Sequence, residues 1–195
     1  MCEDVEGSVV SKNTFLDSNQ RCVVLQDTTK AVVDGNIAYK TSGMCFMTQD
    51  GGEIENVFKN NLGAETIRSR FAIDNDDRYP ATFAARNPNN EFSNNVAAGS
   101  NECGFRISLS HRVVGASAPK YGGYQPRKEA IGAFKNNVAH SSKRGFCMYH
   151  FQSDDVKGPD QAIVSIKAYR NTWNGIKFYG TKFLNLNGAF LSDNK

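Results

Sequence analysis

The sequence predicts an all-β chain: a right-handed, single-stranded parallel β-helix, or solenoid, of about seven rungs carrying long loop insertions. Three observations carry that expectation. Residues 10–27 overlay residues 33–50 at an offset of 23. An Asn–apolar–small signature, leading through a polar turn to Gly and a second apolar strand, recurs along the chain. No stretch keeps apolar residues at the 3.6-residue spacing that an amphipathic helix requires.

Taken in order, the first two units set the register. At the offset of 23, Val10 aligns with Val33, Asn13 with Asn36, Cys22 with Cys45 and Asp27 with Asp50. Val23-Val24 meets Phe46-Met47, so each unit reads as two short apolar strands broken by polar residues. Ile54 to Phe58, running on to Gly63, reads as a shortened copy. Asn95-Val96-Ala97 then leads to Gly104-Phe105, Asn137-Val138-Ala139 to Gly145-Phe146, and Ile166 to Tyr169 leads to Gly175-Ile176. Rungs stacked about 4.8 Å apart bury their apolar faces only against one another, so the core is a column of like side chains. Asn13, Asn36, Asn95 and Asn137 suit coil corners, because Asn tolerates left-handed backbone and bonds its own turn. Cys22, Cys45 and Cys147 read as one register of small core residues, with a Cys22–Cys45 bridge sterically open.

Bulk properties place the chain among ordinary globular domains, with residues 1–195 forming one β-helix domain. A net charge of +3 is too small to argue for nucleic acid, and no nucleic-acid motif appears. No apolar run approaches the roughly 18–20 residues of a transmembrane helix, and the first residues carry no signal-peptide pattern. The five cysteines show no metal-ligand spacing with His111, His140 or His150, and their odd number leaves the redox compartment open.

Function in a solenoid sits where the repeat is interrupted, since a regular rung is scaffold. Three insertions stand out: 64–82, 108–130 and 152–162, of which the last two are expected side by side, walling a groove for an extended polymer. Tyr121 and Tyr124, set among Gly and Pro in 108–130, suit stacking on sugar rings. With Arg106, His111, Arg112, Lys120, Lys143 and Arg144 they form the expected substrate-binding set, although a solvated basic face has the same composition. Asp27 and Asp50, one rung apart, are the candidate carboxylate pair for acid–base work, and His140 is a further candidate. Each aspartate also precedes a turn, which accounts for it without chemistry. Asp74, Asp76 and Asp77 offer oxygen ligands to calcium but lack the spacing of a dedicated calcium loop, so no cofactor is assigned.

Three stretches resemble a known family. Gly43-Met44-Cys45-Phe46-Met47-Thr48-Gln49-Asp50-Gly51 runs on to Asn56-Val57-Phe58 and Asn61-Leu62-Gly63. Thr82-Phe83-Ala84-Ala85-Arg86-Asn87-Pro88-Asn89-Asn90 continues through Asn95 to Ser100 and Gly104-Phe105. Ala168-Tyr169-Arg170-Asn171 precedes Gly175. Together they resemble the β-helix of the family that holds the cell migration-inducing hyaluronan-binding protein, the transmembrane cell-surface hyaluronidase and fibrocystin-L. The chain departs from that pattern where Ala84 and Arg106 replace Trp and Gln49 replaces Glu. The resemblance implies part of a larger multidomain protein at the cell surface or outside the cell. It implies a carbohydrate-active module that binds, and in the intact protein depolymerises, a hyaluronan-like glycosaminoglycan. The alternative it implies is a non-enzymatic structural, adhesion or receptor module of the fibrocystin-L type.

Overall fold

The computed structural model describes residues 5–71, 73, 75–151, 162–182 and 184–195. Each rung holds three strands instead of the two expected. Val9–Ser11 and Thr14–Leu16 are separated only by Lys12 and Asn13, so they read in sequence as one broken strand. Lys12 adopts φ 57° and turns the chain there; Val23–Leu25 closes the rung.

Repetition of this rung builds three parallel sheets, of seven, seven and six strands among the described residues. The first runs from Val9–Ser11 through Val32–Asp34, Val57–Lys59, Glu91–Ser93, Phe134–Lys135 and Ala162–Val164 to Asn185–Asn187. The second comprises Thr14–Leu16, Ile37–Ser42, Leu62–Ile67, Val96–Ala98, Val138–His140, Lys167–Tyr169 and Phe190–Ser192. The third comprises Val23–Leu25, Phe46–Thr48, Ala81–Ala85, Cys103–Ser108, Arg144–Tyr149 and Asn174–Tyr179. The chain is a parallel β-helix whose sheet lengths match the expected number of rungs. Short 3-10 turns at Asn75–Arg78, Gly115–Lys120 and Pro126–Lys128 are its helical segments among the described residues.

Aromatic columns fill the interior. Phe46, Phe83, Phe105 and Phe146 occupy one register of the third sheet and stack with centroids 4.7–5.2 Å apart and planes within 14°. Phe58 and Phe92 stack at 4.9 Å below the first sheet, with Phe134 continuing the column. Small residues face them from the second sheet, where Ala38, Gly63, Ala97, Ala139 and Ala168 share a register. Large-opposite-small packing lets three sheets close around so narrow a core. Burying each Phe is worth about 1.5–3 kcal/mol.

The corner between the first and second sheets corrects the role expected of asparagine. The left-handed residues are Lys12, Gly35, Asn60, Asn94, Asn136, Ser165 and Gly188, at φ 51–66°. In the first five rungs an asparagine follows, and it works through its side chain. Asn13, Asn36, Asn61, Asn95 and Asn137 form a ladder: each Oδ1 from Asn36 onward accepts both the backbone N–H and the Nδ2 of the asparagine below it, at 2.9–3.1 Å. The four amides from Asn36 to Asn137 also donate to carbonyls of the first sheet, those of Val10, Val33, Phe58 and Phe92. Asn61, not Asn56, is therefore the third member of the repeat; Asn56 instead bonds Asn90 at a different corner.

Two disulfides cross neighbouring rungs, Cys22–Cys45 and Cys103–Cys147. Cys147 lies in the register of Met47 and not of Cys45, because Phe146 aligns with Phe46 through Phe105 and Phe83. Its side chain leaves the aromatic column and meets Cys103 on the outer side of the third sheet, beside Met47, Ala81 and Ala84. Cross-linking positions 44 residues apart restricts the unfolded chain, so the Cys103→Ala/Cys147→Ala double variant is expected to lose about 3 kcal/mol. Urea unfolding of variant and parent, each with and without reductant, measures it; equal midpoints without reductant would refute it.

Candidate functional site

All strands of the third sheet run the same way, so their N-terminal ends share one corner and their C-terminal ends the other. The first insertion, 68–80 once the flanking strands are subtracted, lies at the N-terminal corner. The second, 109–133, leaves from the C-terminal corner. The expected position of 152–162 beside it falls, up to residue 161, outside the described residues. The outer face of the third sheet is thus flanked on both sides. Side chains alternate along a strand: Phe105 points inward, so Arg106 points outward, in register with Ala84, Cys147 and Lys177. The two positions that depart from the family pattern by losing Trp, Ala84 and Arg106, are direct neighbours here.

Basic and aromatic groups collect on this face and its N-terminal rim. Backbone bonds place Arg144 N–H on the Glu102 carbonyl (2.8 Å) and Trp173 N–H on the Lys143 carbonyl (2.9 Å), so three successive rungs present these side chains together. The Lys143 ammonium lies 4.3 Å and the Arg144 guanidinium 4.5 Å from the centre of the Trp173 ring, which is 52% exposed. Glu102, almost buried, binds Lys143 at 2.8 Å, Arg144, and Arg68 at 3.8 Å. Farther along the face, Lys177 lies 5.9 Å from the Tyr149 ring, and Tyr149, His150 and Tyr179 pack edge to face or tilted. Tyr179 is 61% exposed.

Asp76 crosses this face from the 68–80 insertion. Its two carboxylate oxygens take Arg86 at 2.8 Å and Arg106 at 3.0 Å. Burial alone would raise the Asp76 carboxyl, but Arg106 and Arg86 outweigh it and hold the group below the ordinary carboxylate value. Asp77 is buried against Arg21 at 3.2 Å. Of the three aspartates offered to calcium, Asp76 and Asp77 are thus committed to arginines, and Asp74 lies outside the described residues. Among the described residues no group of three His, Cys, Asp or Glu side chains converges on a common point.

Of the expected substrate-binding set, the structure gathers Arg106, Lys143 and Arg144 along the third sheet. It places Lys120, Tyr121 and Tyr124 elsewhere, because the 109–133 insertion folds back over the C-terminal corner of the early rungs. Lys120 pairs with Asp27, whose carboxylate also accepts the Tyr121 hydroxyl at 3.3 Å. The Tyr121 ring covers Gly52 so closely that an added Cβ would meet it at 2.5 Å. Asn87 donates to the Tyr124 hydroxyl at 2.9 Å. Asp50 is buried and accepts from Gln26 and from the Ser117 N–H and hydroxyl. The Asp27–Asp50 pair therefore pins the insertion, and Asp50 has no approach to a polymer on the surface. His111 and Arg112 stand exposed where the chain leaves the third sheet. His140 lies on the outer face of the second sheet, stacked on Tyr169 at 4.8 Å and 5°. Burial and then Arg170 lower its pKa.

Sequence reasoning missed Arg86, Trp173, Lys177, Tyr149 and Tyr179, the residues that complete the face. Their signal was strand alternation: counting outward positions from the buried phenylalanines finds Tyr149, Lys177 and Tyr179. It also missed Glu53, whose buried carboxylate accepts the backbone N–H groups of Asp27, Asp50 and Gly51 at 2.7–3.1 Å. Burial raises the Glu53 pKa against those bonds.

The profile of the CEMIP beta-helix family matches residues 1–146. The human cell migration-inducing and hyaluronan-binding protein is 31% identical over 148 residues, 64% of this chain and 11% of the relative. Mouse fibrocystin-L is 32% identical over 124 residues, 64% of this chain and 3% of the relative. The human cell surface hyaluronidase CEMIP2 is 28% identical over 210 residues, covering 91% of this chain and 15% of the relative. The chain thus spans a small part of the length of each.

Proposed function

Because the chain belongs to the CEMIP beta-helix family, we propose that it is a carbohydrate-binding module that holds an acidic, glycosaminoglycan-type polysaccharide along the outer face of its third sheet. The observation that carries this is the exposed Trp173 ring with Lys143 and Arg144 packed against it. An aromatic face takes the apolar side of a sugar ring, and adjacent cations take its carboxylate. The face continues through Arg106 and Lys177 to Tyr149 and Tyr179. Among the named ionisable groups, Arg68, Arg86, Arg106, Lys143, Arg144 and Lys177 outnumber Asp76 and Glu102. The names of two relatives refer to hyaluronan binding and to hyaluronidase, which makes hyaluronan the first polymer to try.

Binding is favoured over cleavage for this chain. A two-carboxylate mechanism needs one acid held protonated near neutrality, whereas Asp76 on this face is pushed the other way. Depolymerisation would fall to the longer protein. The two disulfides support a place in an oxidising compartment, outside the cell or at its surface. No helix among the described residues is long and apolar enough to cross a membrane.

The test is titration of the chain with size-defined hyaluronan at low and physiological salt, with and without calcium, reading both affinity and fragment size. Binding that weakens with salt is expected, with intact polymer recovered. Trp173→Ala and Lys143→Ala are each expected to weaken it by roughly tenfold, about 1.4 kcal/mol. No binding at low salt would overturn the reading and leave a scaffold or adhesion role of the fibrocystin-L type.

A further inference from the structure

We propose that Arg86 and Arg106 form a carboxylate subsite on this face, and that Asp76 of the chain itself occupies it until an acidic sugar takes its place. The proposal rests on the polysaccharide reading and adds where one uronate carboxylate binds and what it must displace.

Two guanidinium groups from neighbouring rungs converge on the two oxygens of one carboxylate, at 2.8 and 3.0 Å. Their side chains are largely shielded, 19% and 12% exposed, so the pair is built to hold an anion with little water around it. Arginine presents planar donors suited to a carboxylate. Below Asp76 the floor is apolar, formed by Met44, Met47 and Ala84, and the space remaining is ≈10 Å³, about one water molecule. With Asp76 withdrawn, that floor and the arginine pair would meet a sugar ring and its carboxylate together.

Among its described residues, the segment carrying Asp76 is held more by polar tethers than by apolar burial. Asp77 anchors it to Arg21 at the corner and Gln20 binds Ser69. Phe71 stays 83% and Tyr79 53% exposed. Segments with few buried apolar contacts open at low free-energy cost, and the Asp77 anchor lets the Asp76 arm leave the face while the insertion stays attached. A ligand for a site open a tenth of the time binds about tenfold more weakly than its intrinsic affinity.

The test is to titrate the parent chain, Asp76→Ala, Asp76→Asn and Asp76→Ala/Arg106→Ala with a hyaluronan oligosaccharide and with its carboxyl-reduced form. Circular dichroism and thermal melts confirm that each variant is folded. Both single variants are expected to bind hyaluronan about tenfold more tightly than the parent, the gain vanishing with the carboxyl-reduced sugar and in the double variant. If the parent binds and folded Asp76→Asn binds no tighter, Asp76 is not a competitor and the inference fails while the polysaccharide reading stands. A gain that persists with the carboxyl-reduced sugar would also overturn it, since the subsite would then not read a carboxylate. If neither parent nor variants bind at low salt, the reading fails and the inference with it.

Discussion

Phe105→Ala is expected to remove about 4 kcal/mol of stability, the range for truncating a fully enclosed aromatic side chain in a core that cannot collapse. Phe105 is 0% exposed and contacts Phe83 at 4.7 Å, Phe146 at 4.9 Å and Phe134 at 5.8 Å. It therefore joins two aromatic columns at mid-height. Relaxation is blocked because the surrounding backbone belongs to hydrogen-bonded ladders on all three sides. In a solenoid each rung is stabilised by its neighbours, so the cavity also weakens the coupling between the two ends. The chain has one tryptophan, Trp173, in the late rungs. Urea unfolding followed by its fluorescence and by far-ultraviolet circular dichroism reads both effects. A midpoint shift is expected in each signal, with the two transitions drawing apart in the variant. A loss below about 1 kcal/mol would mean that the columns are not what holds the rungs together.

Asn95→Ala is expected to cost about 3 kcal/mol, whereas Asn94→Gly stays within about 0.5 kcal/mol of the parent. The two residues are adjacent and identical in type, so the contrast isolates what each does. Asn95 is fully buried; its Oδ1 accepts from the Asn61 N–H and Nδ2, and its Nδ2 donates to Asn137 and to the Phe58 carbonyl. Truncation leaves those partners buried without their bonds, and each such group costs on the order of 1–3 kcal/mol. Asn94 is exposed at φ 56°, a conformation that Gly adopts without penalty. Chemical denaturation of the two variants settles it. Equal losses would show that the corner depends on backbone conformation and not on the amide ladder.

Much of the scaffold is legible in the sequence. The offset of 23 is reproduced by the pairing of Val9 with Val32, Thr14 with Ile37 and Val23 with Phe46. Later rungs keep the Asn–apolar–small signature while their spacing widens to 42, as between Val96 and Val138, because insertions lengthen a rung without altering what stacks. The third strand escaped detection because only Lys12 and Asn13 separate Val9–Ser11 from Thr14–Leu16, and so short a polar gap reads as a break within one strand, although Lys12 at φ 57° turns the chain there. The site was less legible. Arg106, Lys143 and Arg144 lie on the face, but Tyr121 and Tyr124, the most sugar-like pair in the sequence, pack onto Gly52 and Asn87.

By itself the sequence determined the parallel β-helix. That fold repeats a local pattern, and a rung can bury its apolar side only beneath another rung of the same pattern. Only the tertiary structure decided which cysteines join, where each insertion lies, and that Asp76 fills the Arg86–Arg106 pair. Those contacts link residues as far apart as Tyr121 and Asp27, 94 positions distant. They are set by how a loop closes over a surface that does not exist until the rungs have stacked.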